Sequence, residues 1–456
     1  MTTKIKTGVL GTLTSLTVSG TAEVTNLTIG GAQGTDGQLL TSTGSGIGWE
    51  DAPAGGPTFK TFGTDSIMIG DDATGTINNA NKNVGLGVNV FESLTTGDSN
   101  VAIGFDAGKS VVSGYENVFM GLYAGLNAVN NEAIAIGSYS MYSNVGNTSG
   151  DIAIGMGSMQ YKNGAAGNTI AIGTYAHRGG STTTGRANIA IGPYAMQSIT
   201  TGTYNTSVGH HALNSITAGA GNVAMGDSTL RQNTTAHNNT AIGNIALSQN
   251  TTGTQNVAVG ANALDANTTA SYNVAIGGTS LTDNSTGASN VAVGYGSLAN
   301  NTTASSNTAV GRDSLLANTT GTNNVAMGYQ ALKTNTTGTG NTIVGRMAGF
   351  SNTTASNNTV FGQAALYFNT TGTKNVAVGN NALFWNQTAN NNTAVGDTAL
   401  QANTTGAGNT AVGESALNAN TTASNNTAVG KDALSANTTG TQNTAVGALS
   451  LDANTT

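Results

Sequence analysis

Cysteine is absent from the 456-residue chain, so no disulfide bond contributes to its fold. Only three prolines occur, which leaves the backbone able to form hydrogen-bonded ladders almost throughout. Charged residues make up 8% of the chain, against roughly 25% in an average soluble domain. No apolar run approaches the ~20 residues of a membrane-spanning helix, and we therefore predict no membrane insertion.

The distribution of charge argues against several functional classes. The formal net charge is −7, and the chain has no cluster of Lys and Arg of the kind that a nucleic-acid groove requires. The 21 acidic residues are scattered, and no recurrent carboxylate pair supports glycosidase chemistry. We therefore predict that the protein binds no nucleic acid, is not an enzyme, and uses neither a cofactor nor a metal.

What the chain does contain is a repeat of 17 residues. We number the unit from Asn256, so that Asn256 is position 1 and Tyr272 is position 17. A fixed period in this range indicates stacked supersecondary units. We therefore predict an all-β fold, a parallel β-solenoid or β-roll of 17-residue coils. The glycine at position 5 recurs at residues 209, 226, 243, 260, 277, 294, 311, 328, 345, 362, 379, 396, 413, 430 and 447.

The repeat divides the chain into three regions. Residues 201–456 form the regular shaft, and residues 61–200 form an irregular solenoid in which the glycine spacing becomes 16, 18, 18 and 19. Because insertions in repeat proteins map to loops, we expect protruding turns over residues 122–188. At ~4.8 Å per stacked strand, the shaft should be on the order of 100 Å long.

Residues 1–60 follow a different pattern. Short segments at 9–20 and 24–31 alternate apolar and polar residues, which is typical of strands. We predict a small β-rich N-terminal attachment module ending in a linker. The alternative is an irregular cap for the solenoid, since terminal repeats need capping.

Within one coil, positions 2 to 4 predict a strand whose two faces are both apolar. Position 3 is almost always Ala, as at Ala258, and we expect this small face to pack against another copy of the chain. Ala263, Leu264 and Ala266 predict a second strand, and the stacked Asn residues predict amide ladders. Position 15 alternates between Gly and Ala, which predicts two turn geometries, because Gly tolerates positive φ and Ala does not.

The motifs Asn100-Val101-Ala102-Ile103-Gly104 and Asn273-Val274-Ala275-Ile276-Gly277 resemble the head repeat of trimeric autotransporter adhesins. That resemblance covers about residues 65–456 and implies a left-handed parallel β-roll trimer. The period of 17 departs from the shorter adhesin coil, and the signal peptide and C-terminal anchoring strands of that family are missing. The segments T-V-S-G-T-A-E-V-T-N-L-T-I-G-G and G-Q-L-L-T-S-T-G-S-G-I-G-W are similar to bacteriophage tail-fibre and appendage proteins.

One local cluster of aromatic residues is the best candidate binding site. Stacked coils would place its members in columns at positions 10 and 11, where ring faces suit the pyranose faces of a host surface glycan. Local packing is the alternative interpretation. The cluster consists of Phe350, Tyr367, Phe368, Phe384 and Trp385.

Four other motifs favour structural interpretations. The stretch from Gly104 to Ser110 has three residues between its glycines, whereas a phosphate-binding loop needs four. Adjacent His210 and His211 should point to opposite faces of a strand, and no neighbouring ligands complete a metal site. Asp71-Asp72 lacks the calcium β-roll nonapeptide. Paired Thr residues suggest an ice-binding solenoid, although adjacent Thr side chains on a strand cannot both face outward.

Together these observations predict a structural fibre of a virion, a phage tail fibre or other appendage. It would be a homotrimer, intertwined or side by side, that attaches to other virion proteins through residues 1–60 and projects a host-contacting tip. The N-terminus lacks a signal peptide, so we expect assembly in the host cytoplasm and final placement on the virion surface. A cellular trimeric surface adhesin is the alternative, and a fibre-borne depolymerase ranks third. Because the chain ends within repeat consensus, we expect the native product to continue past residue 456.

Overall fold

The computed structural model describes residues 65–70, 80–146, 148–164 and 167–456, together with the backbone of short strands between residues 28 and 60. The chain divides into two compact units, Met1–Thr58 and Phe59–Thr456. Every regular element in the described ranges is a β-strand. None of these residues belongs to a helix long and apolar enough to cross a membrane.

The smaller unit contains two antiparallel strand pairs. Strand Thr28–Ile29 pairs with Ala32–Gln33, and Gln38–Ser42 pairs with Ile47–Asp51. A further strand, Thr58–Lys60, lies at the boundary between the units. The strand predicted over residues 9–20 lies outside the described residues.

The larger unit is a parallel β-solenoid of about 22 turns, as the repeat predicts. Each coil contributes one short strand, and successive strands pair in chain order. The strands are Ile67–Gly70, Val84–Leu86, Val101–Ile103, Val118–Met120, Ile134–Ile136, Ile152–Ile154, Ile170–Ile172, Ile189–Ile191, Thr206–Val208, Val223–Met225, Thr240–Ile242, Val257–Val259, Val274–Ile276, Val291–Val293, Thr308–Val310, Val325–Met327, Thr342–Val344, Thr359–Phe361, Val376–Val378, Thr393–Val395, Thr410–Val412, Thr427–Val429 and Thr444–Val446.

The strand register is maintained through the irregular region. Phe119 pairs with Ala135, and Ala135 pairs with Ala153, although the first pair is 16 residues apart and the second 18. The irregular coils form extra parallel pairs of two residues each, Asn130–Asn131 with Thr148–Ser149 and Ser143–Asn144 with Tyr161–Lys162. The insertions therefore lie in the turns, as expected, and leave the main ladder intact.

The alanine at position 3 lies in the interior of the coil, which contradicts its predicted place between chains. Ala258 is completely buried, and its neighbours Val257 and Val259 on the opposite face are only partly covered. The interior also holds Ala263 and Leu264. A methyl group suits this interior because the coil is thin. The larger apolar side chains at positions 2 and 4 therefore lie on the outward face of the strand, where other molecules can reach them.

The second strand predicted at positions 8 to 11 is wrong. Residues 261–266, positions 6 to 11, form consecutive turns, with φ of 56° at Asn262 and 54° at Leu264. A left-handed residue reverses the direction of the chain, so the adjacent Ala263 and Leu264 both point inward. Neighbouring residues of a strand would point to opposite faces. The adjacent buried pair was therefore a sequence signal against a strand.

Two ladders of buried Asn side chains run along the stack and confirm the predicted amide ladders. At position 1, Asn239 Oδ1 accepts the backbone N–H of Asn256 at 2.9 Å, and Asn256 Nδ2 donates to the Ala270 carbonyl at 2.9 Å. At position 12, Asn267 Nδ2 donates to Asn250 Oδ1 at 2.9 Å and to the same Ala270 carbonyl at 3.1 Å. These Asn side chains thus find partners both in their own coil and in the neighbouring coil, as a buried amide requires.

The two turn geometries predicted at position 15 are not present. Gly253 and Ala270 both lack positive φ, and each carbonyl accepts hydrogen bonds from the Asn side chains at positions 1 and 12 of its own coil. Coils with Gly and coils with Ala differ instead in the space around position 15 and in the hydrogen bonds that the next residue forms. A Cβ at Gly253 would lie only 2.2 Å from the Ala270 carbonyl oxygen. In addition, the hydroxyl of Ser271 accepts the backbone N–H of Thr254 in the preceding coil at 3.0 Å.

Candidate glycan-contact site

The five predicted aromatic residues form two adjoining columns on the solenoid surface. In the first column, the rings of Phe350 and Tyr367 stack with centroids 5.1 Å apart, and those of Tyr367 and Phe384 with centroids 5.3 Å apart. In the second, Phe368 stacks on Trp385 at 4.4 Å with an interplanar angle of 6°. Edge-to-face contacts at 4.7 to 5.2 Å join the columns. The coil repeat therefore brings the whole predicted set together.

The stacking leaves few ring faces for a ligand. Tyr367 has an aromatic ring on each face, and the outer side of Phe350 lies 5.8 Å from Lys333 Nζ. Trp385 is 45% exposed and is followed in its column by the small Ala402. A pyranose needs a free ring face, so a glycan would contact the edges of the columns and the outer face of Trp385. Glycan contact at this patch remains a prediction.

A second aromatic column, which the sequence analysis did not identify, lies on the irregular coils at position 7. Tyr123 and Tyr139 have ring centroids 5.1 Å apart, and Tyr175 and Tyr194 have centroids 5.9 Å apart. His211 continues the column, stacked on Tyr194 at 5.0 Å. Members in adjacent coils are 16, 19 and 17 residues apart, and Tyr139 and Tyr175 are two coils apart, so counting coils rather than residues would have revealed the column.

The histidine pair does not have its predicted geometry. His210 and His211 follow Gly209 in a turn, and their rings contact each other with centroids 4.0 Å apart. His211 has a φ of 54°, which places both side chains on the same side. His210 Nδ1 lies 2.8 Å from Asp227 Oδ1. Within the described ranges, no three His, Cys, Asp or Glu side chains are grouped to hold a metal.

The glycine-lysine stretch around Gly108 is a solenoid turn. The backbone N–H of Gly108 donates to the Ala124 carbonyl, and that of Asp106 donates to the Val88 carbonyl, both at 2.9 Å. Lys109 Nζ forms an ion pair with Glu92 at 3.0 Å. These backbone N–H groups already donate to carbonyls of neighbouring coils, so they are not arranged to bind a phosphate. Asp71-Asp72, considered as a calcium motif, lies outside the described residues.

The paired threonines differ in their environment. The hydroxyl of Thr251, at position 13, donates to the Thr268 carbonyl of the next coil at 3.0 Å. Thr252, at position 14, is exposed. A single row of outward Thr side chains therefore runs along the coils, whereas ice-binding arrays expose alternate Thr residues. Ice binding remains a prediction.

A buried ion pair replaces the two Asn ladders in one irregular coil. Asp151 takes position 1 and Lys162 takes position 12, and neither side chain is exposed. Lys162 Nζ donates to both carboxylate oxygens of Asp151 at 2.8 Å and to Thr169 Oγ1 at 3.3 Å. Burial lowers the pKa of Lys162, and the Asp151 carboxylate opposes that shift. The three bonds satisfy all three ammonium protons, which is the condition for retaining a charge in the interior.

His177 lies in the interior beside this ion pair. It occupies position 9, where regular coils have Leu, and it is completely buried. Its Nε2 is 3.4 Å from Asn188 Nδ2, and its Nδ1 has no hydrogen-bond partner. Burial lowers its pKa to about 4, because the imidazolium would lose its hydration, and the Lys162 ammonium acts in the same direction. The ring is therefore neutral at pH 7.

We expect stability in this region to fall on acidification. An unfolded His titrates near pH 6.5, so between about pH 6.5 and 4 the unfolded state binds more protons than the folded state. The stability contributed by neutral His177 is present above this window and is lost as pH decreases through it, by about 3 kcal/mol in total. Hydrogen exchange of the coils around residue 177 at pH 7 and pH 4.5 measures this loss. His177→Leu, which restores the usual residue, should abolish the difference, and an equal pH effect in that variant would refute the assignment.

Comparisons of the chain with protein-family models, with curated proteins and with solved structures found no match.

Proposed function

We propose that this protein forms the shaft of a homotrimeric structural fibre on a virion, a phage tail fibre or other appendage. In this proposal residues 1–60 attach to other virion proteins, and the solenoid projects a host-contacting tip. The observation that carries the proposal is the outward face of the strand ladder, where position 4 is apolar in every strand and position 2 is Val, Ile or Thr. A solenoid fold is compatible with a fibre, and the outward face supplies a reason for chains to associate.

The outward face consists of the side chains at positions 2 and 4 of successive strands. Position 4 holds Val, Ile, Met, Leu or Phe, and many of these side chains are 36 to 46% exposed. Exposed members include Leu86, Met120, Met225, Ile242, Ile276, Met327, Phe361, Val412 and Val429. Soluble monomers rarely expose a contiguous apolar patch of more than a few hundred Å².

The size of this face fits a stable interface. A strip three residues wide and about 22 strands long measures roughly 10 Å by 100 Å, or on the order of 1,000 Å² per chain. Standard protein interfaces bury about 800 Å² per partner. A second and a third copy of this chain match the strip in length and in strand spacing, which supports self-association over capture of an unrelated globular partner. The trimeric state itself comes from the adhesin resemblance.

Charging the outward face should dissociate the assembly without unfolding the coil. We expect Ile242→Lys with Ile276→Lys to convert trimers into monomers, because lysine on a buried apolar strip leaves charges without partners. Sedimentation velocity and native mass spectrometry at micromolar concentration measure the state. The matched control is Thr252→Lys with Thr286→Lys, which places the same charges on exposed turns. A monomeric unmodified chain would refute the homotrimer.

A separate experiment tests the proposed location of the protein on the virion. An antibody against residues 201–456 should label projecting appendages of virus particles in immuno-electron microscopy. Labelling of the cell envelope in the absence of particles would instead support the cellular adhesin, and would leave the interface result unaffected.

A further inference from the structure

The aromatic column at position 7 is interrupted at Gly157. The coils on either side carry Tyr139 and Tyr175 at the same position, and the column continues beyond them in both directions. Because coils stack at ~4.8 Å, the two positions that flank the glycine are separated by about 9.6 Å. That is twice a normal ring-stacking distance. The Tyr175 ring leans into part of this gap, because a Cβ added at Gly157 would lie 2.5 Å from its Cδ1 and Cε1 atoms.

The backbone does not require glycine at this position. Gly157 has a φ of 60°, and the neighbouring tyrosines adopt the same conformation, with 58° at Tyr139 and 53° at Tyr175. A larger side chain would therefore meet no new backbone strain at residue 157, although it would have to displace the Tyr175 ring. Beside Gly157, between Tyr139 and the leaning Tyr175 ring, lies an open slot of about 280 Å³, lined by Ser138, Tyr139, Met156, Gly157, Gln160 and Tyr175.

Polar groups surround the slot on one side. Gln160 lies on its wall, and its Oε1 accepts from Arg178 Nε at 3.1 Å, which fixes the amide with its NH2 group free to donate. The Arg178 guanidinium lies 5.2 Å from the ring centroid of Tyr175 and so holds that ring in place. Ser138 adds a hydroxyl. Aromatic walls with hydroxyl and amide groups at the edge suit a molecule that has an apolar ring face and a polar perimeter.

We propose that the slot at Gly157 binds a pyranose ring of a glycan, which packs against the aromatic side chains of Tyr139 and Tyr175. The C–H face of the sugar contacts the aromatic rings, and its hydroxyls bond to Gln160 and Ser138. A planar aromatic compound would fill the same gap, but it would leave these polar groups without partners. The site is distinct from the aromatic columns at residues 350–385. It is independent of the proposed virion role, since binding is a property of the purified chain.

The test uses the full-length assembly on a printed panel of neutral and acidic glycans, followed by saturation-transfer NMR on each glycan that binds. Gly157→Tyr places a ring in the slot, and we expect at least about tenfold weaker binding. Tyr139→Ala removes one wall and should weaken binding by a similar factor. Trp385→Ala is the matched control at the other aromatic site and should leave this binding unchanged. Thermal melting and sedimentation confirm that each variant keeps its fold and assembly.

Three results would overturn the proposal. The first is a panel on which the unmodified protein binds no glycan. The second is glycan binding that survives Gly157→Tyr unchanged. The third is binding of the planar dye 1-anilinonaphthalene-8-sulfonate in the slot, lost in Gly157→Tyr, without binding of any sugar. None of these bears on whether the solenoid is a virion fibre, which the immuno-electron microscopy decides.

Discussion

Lys162→Met should reduce the stability of the surrounding coils by about 3–5 kcal/mol at pH 7, the usual cost of leaving one member of a buried ion pair without its partner. Methionine fills much of the volume of lysine, so the loss of stability arises from the unpaired Asp151 carboxylate and not from a cavity. Asp151 would keep the Thr169 N–H bond at 3.0 Å, but its carboxylate would lose the ammonium. Native-state hydrogen exchange of the coils between residues 133 and 196 measures the local free energy of opening.

The double variant Asp151→Asn with Lys162→Met is the control for that result. It buries no charge, and the Asn oxygen can still accept the Thr169 N–H, so most of the lost stability should return. Thermal melting of the two variants and of the unmodified chain at pH 7 should rank them in the same order. If the double variant is as unstable as the single one, the ion pair is not what stabilises this coil.

Gly260→Ala should break the stack at one point. Gly260 has a φ of 135°, a conformation that L side chains rarely adopt, and an added Cβ would lie 2.6 Å from the carbonyl carbon and oxygen of Gly277. Both atoms are backbone, so no side chain can move to make room. The coils would have to separate, which removes hydrogen bonds of the strand ladder. We expect a loss of several kcal/mol, comparable to other residues forced into a sterically forbidden backbone.

Because solenoid stability is close to a sum over coils and their interfaces, this loss should be local. Hydrogen exchange should accelerate in the coils around residues 256–290, while distant coils keep their protection. Gly278→Ala is the matched control. It lies next to Gly277, and an added Cβ there would meet only ordinary contacts, the nearest at 3.5 Å. If both substitutions destabilised the coils equally, the close approach between Gly260 and Gly277 would not be what requires glycine at position 5.

Periodicity was sufficient to predict the coil, the parallel ladder and the amide ladders, because these depend only on which residues stack. It was insufficient for the orientation of the strand. Position 3 is small and apolar, while positions 2 and 4 are mostly Val, Ile, Met or Thr, so the pattern contains no charged or strongly polar face to mark the outside. The structure places the small Ala258 inside because the interior is also occupied by Leu264 and two Asn side chains, and little volume remains.

The turns were the least predictable part of the coil. Leu264 at a φ of 54° is unfavourable for an isolated residue, and only its complete burial in a repeated context offsets that cost. Single-residue preferences therefore favoured a strand there. Among the candidate sites, the stacked residues at 350–385 were predictable because their spacing is regular. The position-7 column was missed because turns of unequal length hide its period.

The alternation at position 15 has a consequence for the length of the molecule. Coils that carry Gly have no room for a methyl group against the next coil, as at Gly253 and Gly287, and in the regular shaft two Ala coils never follow each other. From Ala236 onward, the alternation slips once, where Gly338 follows Gly321. Elsewhere, deleting one Gly coil would bring two Ala coils together, whereas deleting a pair of coils keeps the alternation. The shaft can therefore shorten or lengthen most easily by 34 residues at a time, in steps of about 10 Å. Recombination between repeats would therefore change the length of the solenoid in fixed increments while its first and last coils stay the same.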